Sequence, residues 1–588
     1  MDTFVREVLQ NSHDQRLPGA SRSEVDFDLL QLSGERKAAF LEALHWETLR
    51  DHLSGIAGGS SPTAARIARE LRDVEQRPLR LLRIADRGTR GLVGGEDQDG
   101  ENFQALCRNV LDTSESNLDR GGSHGLGKAV LWAFSGVSVV LFHSIIGEGH
   151  DENRHRFFAK AEFPSHDDAS SQPWDGPGWF GQPDPDIPAR AISMWDEAAE
   201  SAAAALETAR RSPEPGTSIL VVDLDEPLSD EDRPLVEIGE DIAASASRWF
   251  WPALTKGSLG VRVRVFHDDE VVADNVVGLT SEVRPFAEAM GDPSPTPDAR
   301  TPGQCAERVV TIGVPASKGV GPSPASPETE ADARLRIRSA TSEDAERWEN
   351  HVALIRGAGM VVQYWRSPRH RNGEHTFHAV LSAGLASGSS ESDKAADRFL
   401  RACEPPAHDK WVAGTKRQRE LYEAGAGTRL KRLEDDIQAA IDEALFAIPP
   451  TGESGPEALR KLFRIGTGTG GGSRSEHRFA TSVRSGSLVG QVWHVLADLH
   501  HAKGSGIWTA RLELFLDAES GRGSRLDIAE ASVEGAATLQ VEDGRALLVV
   551  DGDQRVTVRL ESTGAEPMVS TRTRVRLDAR FKPGESFS

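Results

Sequence analysis

The 588-residue sequence predicts an α+β protein of several domains. Three observations lead there. Over roughly the first two-thirds, segments with apolar residues at helical spacing alternate with short apolar runs of strand length. A glycine/serine stretch at 466–475 (GTGTGGGSRS) then marks a linker, followed by a tail of alternating β runs. Hydrophobic residues make up 38% of the chain and are spread evenly enough to fill real cores. No segment approaches the roughly 20 consecutive apolar residues needed to cross a bilayer.

In chain order, residues 4–15 read as a helix with Phe4, Val8 and Leu9 on its apolar side. Residues 33–53 and 62–75 read as two further helices, and 79–85 (LRLLRIA) as a buried strand. Residues 137–143 and 156–163 read as paired strands. The Pro/Gly/Asp-rich stretch 167–215 reads as a surface insertion with an alanine-rich helix at 194–209. Strand 218–224 and helix 240–250 close a first domain, 1–255. A second α/β domain, 256–406, has strands at 260–267, 271–277, 308–313, 333–339, 360–365 and 376–382, with an acidic loop at 319–332. A helical connector, 407–465, is built on the charged stretch 417–447. The final domain, 476–588, reads as an antiparallel β-sandwich with turns at Asp543-Gly544 and Asp551-Gly552. His494, His500 and His501 lack a fuller ligand set and read as ordinary histidines.

Four short motifs carry chemistry. In the first helix Glu7 and Asn11 are four residues apart and share a face, with Asp14 as a structural third. Asp86-Arg87-Gly88-Thr89-Arg90-Gly91 directly follows the strand at 79–85. Gly121-Gly122-Ser123-His124-Gly125-Leu126-Gly127-Lys128 is a small-residue loop opening a helix, whose N–H groups and positive end suit phosphate. Gly216-Thr217 opens the strand at 218–224. Gly122, Gly127 and Lys128 also fit the P-loop spacing G-x-x-x-x-G-K. The residue after the lysine is Ala129, not a hydroxyl, and a polar segment rather than a strand leads in.

Taken together and in this order, the four motifs resemble the ATP site of the GHKL superfamily, which holds gyrase, heat-shock chaperones, histidine kinases and MutL. The resemblance covers about residues 1–255 and implies a Bergerat-type ATPase sandwich followed by a transducer. It assigns Glu7 as general base, Asn11 as magnesium ligand and Asp86 as the group that reads adenine. Gly88 and Gly91 become turn residues, with Gly91 one place later than the family's D-x-G-x-G. Gly121, Gly122, Ser123, His124, Gly125, Leu126, Gly127 and Lys128 become the phosphate loop, and 92–120 its lid. Thr217 matches the threonine near adenine. For the basic residue that a transducer sends to the γ-phosphate, Arg356 is the first candidate and Lys410 the second.

The expectation is an ATP- and magnesium-dependent hydrolase working as a dimeric, ATP-gated clamp. It is closest in style to bacterial MORC- or MutL-like ATPases of anti-phage defence or restriction-associated systems, with a protein partner on the β-sandwich. The alternatives are an ATP-switched scaffold without catalysis and a histidine-kinase-type protein kinase. No helix bearing a phospho-accepting histidine precedes the ATP motifs, which argues against the kinase. With two tyrosines, Tyr364 and Tyr422, neither in a strand-cleaving setting, a type II topoisomerase is excluded, as is the MutL endonuclease cluster. A net charge of −23 does not favour bare phosphate backbone, although basic stretches at 356–371, 416–419 and 429–432 leave a nucleic-acid groove open. Cys107, Cys305 and Cys403 fit neither a disulfide framework nor a zinc cluster. With no secretory signal in view, the chain reads as cytoplasmic. Only six residues precede Glu7, where the family carries a strap. The expectation is a start codon upstream of Met1, the alternative being loss of the strap.

Overall fold

Helix α1 (Asp2–Asp14) runs into β1 (Ser23–Leu32), and β1 is the strand on which the first sheet is assembled. The computed structural model describes residues 1–98, 101–108, 124–227, 233–319, 325–357, 359–368, 376–405, 408–445, 478–489, 492–502, 507–518, 521–552, 555–563 and 574–583. The chain divides into two units, Met1–Thr451 and Gly452–Ser588, and the fold is mixed α+β.

After β1 come α2 (Gly34–Ala43), α3 (Trp46–Ala57), α4 (Pro62–Gln76) and β2 (Leu79–Arg87). Next are α5 (His124–Ala133), β3 (Val139–Ile145) and β4 (His155–Ala161). The insertion carries short strands β5 (His166–Asp167), β6 (Pro173–Trp174), β7 (Gly178–Phe180), β8 (Gln182–Pro183), β9 (Ala191–Ile192) and β10 (Met194–Trp195), then α6 (Asp196–Ala205). The order closes with β11 (Gly216–Val222), α7 (Leu235–Thr255), β12 (Leu259–His267) and β13 (Glu270–Val276). The sheet order is β10-β4-β3-β11-β2-β1-β12-β13, with β7 added on β4. The β1–β12 pairing is parallel; the other pairs are antiparallel.

Period-2 alternation divides the two faces. Val25, Phe27 and Leu29 of β1 pack with α1, α5 and α7, whereas Leu30 and Leu32 join Leu79, Leu81 and the α2–α4 and α6 layer. The second face also carries charge. Asp28 pairs with Arg83 at 2.7 Å and with Arg264 at 2.7 Å, and Asp26 pairs with Arg87 and Arg264 at 2.9 Å each. Each of these carboxylates is thus shared between guanidiniums of neighbouring strands, which fixes register where apolar packing is thin.

A second sheet in the same unit has the order β14-β15-β18-β16-β17. Its strands are β14 (Cys305–Val314), β15 (Thr329–Ser339), β16 (His351–Arg356), β17 (Met360–Arg366) and β18 (Phe377–Ser382). One face packs against α9 (Glu391–Ala402) and α11 (Ala426–Leu445). The other meets α8 (Arg284–Gly291) and Trp251 of α7. In the other unit, two antiparallel sheets share one core that includes Trp493, Val495, Trp508, Leu512, Leu548 and Val558.

Several elements differ from the sequence reading, each for a local reason. The helix at 33–53 is two helices, because His45 takes a left-handed φ of 55°. The helix at 240–250 runs from Leu235 to Thr255, since its apolar face stays covered on both sides. The strands read at 260–267 and 271–277 belong to the first sheet, not the second, through the β1–β12 pairing. β1 itself was not read from sequence, because its aspartates interrupt the apolar run. The linker at 466–475 lies outside the described residues. Among the described residues no helix is long and apolar enough to cross a membrane.

Trp251 joins the two sheets. It is fully buried, and its Nε1–H donates to the Tyr364 hydroxyl at 3.1 Å, which in turn donates to the Arg248 carbonyl at 2.6 Å. Trp251→Ala is expected to cost about 3–5 kcal/mol. The measurement is the denaturant midpoint of the first unit, and an unchanged midpoint would show that this contact is not structural.

Candidate functional site

Helix α1 forms because Phe4, Val5, Val8 and Leu9 fall on one side and are all buried, while Asp2 stands at its positive end and pairs with Arg248 at 3.0 Å. Its other side carries the two residues of interest one turn apart. Asn11 is exposed, and Glu7 is only 7% exposed.

Glu7 has an unusual neighbourhood. Burial pushes its carboxyl above the usual range, and electrostatic attraction to His408 and Arg6 opposes that push. Arg6 lies 4.0 Å over the Trp249 ring and donates to the carbonyls of Val362, at 3.1 Å, and His408. The start of α1 is therefore held by the second sheet and by the loop that contains His408. That loop turns on Glu404, whose side chain is fully buried. Arg356 donates to both of its carboxylate oxygens, His408 Nδ1 lies 2.8 Å from Oε2, and Trp411 Nε1–H donates to Oε1 at 3.2 Å. Burial alone would raise the Glu404 pKa, but the bonds from Arg356 and His408 outweigh it and hold the group below the usual carboxylate range.

At the other end of α1, β2 delivers Asp86. Its Oδ1 accepts from Thr217 N–H at 2.8 Å and the Thr89 hydroxyl at 2.6 Å, and the Ser12 hydroxyl of α1 also bonds the carboxylate. Burial pushes the Asp86 pKa up, opposed by Arg210 and by those three donors. Arg210 donates to the Asp86 carbonyl at 2.6 Å and to that of Glu214 at 3.1 Å, and its own pKa is pushed down to about 10 by burial. The Thr217 hydroxyl is 3.3 Å from Ser144 Oγ, which accepts from Leu92 N–H at 2.9 Å. Gly91 has a φ of 72°, and a Cβ there would stand 2.6 Å from both Ser144 Oγ and the Ile145 carbonyl. The extra residue in D-x-G-x-x-G therefore leaves Gly91 at a position only glycine fits.

Residues 7, 11, 86, 88, 91 and 217 thus gather along α1 and the ends of β2 and β11. Gly121, Gly122 and Ser123 lie outside the described residues. His124, Gly125, Leu126, Gly127 and Lys128 form the first turns of α5, whose far end meets α1 through Phe134 and Phe4 at a ring distance of 4.5 Å. Two sequence expectations need correction. The segment read as lid from residue 92 begins packed: Leu92, Phe103 and Cys107 are buried, and the Arg156 guanidinium sits 3.2 Å over the Phe103 ring. Arg356, the first candidate for contact with phosphate, is instead committed to Glu404. Lys410, in the same loop, is exposed.

Sequence reasoning missed Ser12, Ser144, Arg210, Glu404 and His408. Ser12 adjoins a motif residue and could have been marked, and Glu404 and His408 are four residues apart; Ser144 and Arg210 have no local signal, because their partners Thr217, Leu92 and Asp86 are far away in sequence. Among the described residues, no group of three or more His, Cys, Asp or Glu side chains is arranged to hold a metal. No protein-family model matches the chain, and no curated protein matches it. Among solved structures it is similar to one described as the crystal structure of N terminal domain of a DNA repair protein. The TM-score is 0.31 at 9% sequence identity, covering 75% of this chain and 93% of that one.

Two stability predictions follow from the carboxylates. Removing one partner of the buried Arg356–Glu404 pair, by Arg356→Ala, should cost about 3–5 kcal/mol. Because the folded Glu404 pKa is depressed, its share of stability is present above the unfolded value of about 4.3 and is lost as pH falls through the folded one. Glu7 has the opposite sign. Its raised pKa makes the ionised form a cost to the fold at neutral pH, so Glu7→Gln should raise the melting temperature at pH 7. That gain should shrink as pH falls through the raised value and vanish below about 4.3. A melting curve lowered by Glu7→Gln at pH 7 would contradict this.

Proposed function

We propose that the first unit binds and hydrolyses ATP at this site, as a GHKL-type ATPase, and that the chain works as an ATP-gated dimeric switch. One observation carries the reading. The Asp86 carboxylate is gripped at once by Ser12 of α1, Thr89 of its own loop and Thr217 of β11, so three motifs up to 205 residues apart form one wall.

In this reading each residue takes one role. Asp86, fixed by donors on one oxygen and by Arg210 behind its carbonyl, is suited to accept a hydrogen bond from the adenine amino group. Thr217 reinforces that edge. Glu7, with a pKa raised by burial, is suited to take a proton from an attacking water, since a base works best when its pKa approaches the working pH. The exposed Asn11 amide is an oxygen donor of the kind magnesium accepts. Magnesium held there would bridge the phosphates and offset their charge. Lys128 in the first turns of α5 would add a point charge to the phosphate loop. Lys410 replaces Arg356 as our candidate for the basic residue from the second sheet's module. It is exposed and lies two residues beyond His408, which interacts electrostatically with Glu7.

The test is steady-state ATP hydrolysis. Glu7→Ala should lower turnover roughly 10²–10⁴-fold while ATP still binds. Asn11→Ala should weaken magnesium-dependent binding, and Lys410→Ala should lower turnover without the loss of stability expected of Arg356→Ala. An active enzyme indifferent to Glu7→Ala would refute the catalytic assignment. ATP binding without turnover in the wild type would favour an ATP-switched scaffold.

A further inference from the structure

The face of the first sheet opposite α1 carries a second site. A cavity of about 1030 Å³ opens between α3, β4 and the insertion 164–195. Its walls are aromatic: Phe163, Trp174, Trp179 and Phe180 line it, with His52 and His166. Two of these rings stand unusually bare, Trp174 at 46% and Trp179 at 38% exposed. Trp174 is tied down by its side chain, and Trp179 is positioned through its strand. Trp174 donates its Nε1–H to Asp168 Oδ2 at 2.9 Å and meets the His52 ring edge-on at 5.0 Å. Trp179 sits in β7, paired with β4 opposite Lys160.

The scaffold beneath is rigid. His52 Nδ1 is 3.0 Å from His166 Nε2, and His166 Nδ1 is 2.8 Å from the Pro164 carbonyl, so α3 and the insertion are joined by a hydrogen-bonded chain. At Gly55 a Cβ would fall 1.8 Å from the Asp167 carbonyl, so the helix can approach the insertion this closely only with glycine there. The Trp174 indole is held in place before any ligand arrives, which lowers the ordering cost of binding.

Charge selects the ligand. The rim carries the exposed carboxylates of Asp167 and Asp175. The one lysine or arginine in the lining is Lys160, whose side chain is fully buried and paired with Glu162. A phosphate or nucleic-acid ligand therefore meets carboxylates, with no lysine or arginine in the lining besides the paired Lys160. A guanidinium matches well: its flat face stacks on indole and its donors suit carboxylates. The volume exceeds what a single side chain fills, so there is room for several residues of an extended segment.

We propose that this cleft docks an arginine-bearing peptide segment of a partner protein, with the guanidinium stacked on Trp174 and Trp179 and facing Asp167 and Asp175. This site is independent of the nucleotide reading and stands or falls separately.

The probe is the capped tripeptide Ac-Ala-Arg-Ala-NH2, titrated into the full chain and followed by ligand-observed NMR. The control is the same peptide with citrulline, which keeps the shape and loses the charge. The arginine peptide should bind saturably, with the citrulline peptide at least tenfold weaker. Trp174→Ala and Trp179→Ala should each weaken binding roughly threefold to thirtyfold. Asp175→Lys changes an exposed rim position without touching the core, and should abolish the preference for arginine. The proposal is overturned if no saturable binding occurs, if citrulline binds as well as arginine, or if Asp175→Lys and the tryptophan variants bind like wild type.

Discussion

A carboxylate with no exposure to water, that of Glu404, is the constraint on which the first unit depends. An ion in that position is tolerable only if its lone pairs are filled, and Arg356, His408 and Trp411 fill them. The three donors come from the end of β16 and from a loop beyond α9. Satisfying one charge therefore fixes where a strand ends and where a loop folds back. The His408 carbonyl, held in place by the same knot, accepts from Arg6. The helix that carries Glu7 is thus seated partly by the second sheet, and His408 reaches the electrostatic setting of Glu7 from outside its own module.

The two faces of the first sheet do different work with the same strands. The α1 face carries a large apolar cluster, and α1 and the end of β2 hold Glu7, Asn11 and the Asp86 wall beside it. The opposite face is partly apolar, partly a lattice of aspartate–arginine pairs, and at its β4 end opens into the aromatic cleft. β4 serves both, since Phe158 packs toward α5 while Ala159 and Ala161 line the cleft. An insertion that reads as surface decoration in the sequence therefore shares a strand with the core.

Much of this was legible, and the limits have physical causes. The apolar spacing of Phe4, Val8 and Leu9 and the run 79–85 revealed α1 and β2, because local periodicity records which face is buried. Asp86 and Thr217 could be paired only by family likeness, as nothing local links a residue before Gly88 to one after Gly216. β1 was lost because Asp26 and Asp28 look like solvated loop residues until the arginines of β2 and β12 are seen beside them. Arg356 was misjudged for the same reason in reverse: a lone arginine near glycines looks available when its carboxylate lies 48 residues away.

The parallel pairing of β1 with β12 has a bearing on how the chain comes to be folded. Ser23 is aligned with Leu259, so one pairing of the first sheet spans a separation of more than 200 residues. Loops of that length close slowly, since chain entropy must be given up before the contact returns any free energy. During synthesis, β1 must wait with one edge open until β12 has emerged. The Glu7 helix waits longer still, for the loop that contains His408. Nascent chains should therefore pass through a long interval in which a half-built sheet is exposed, and vectorial folding from the N-terminus is closed to this topology.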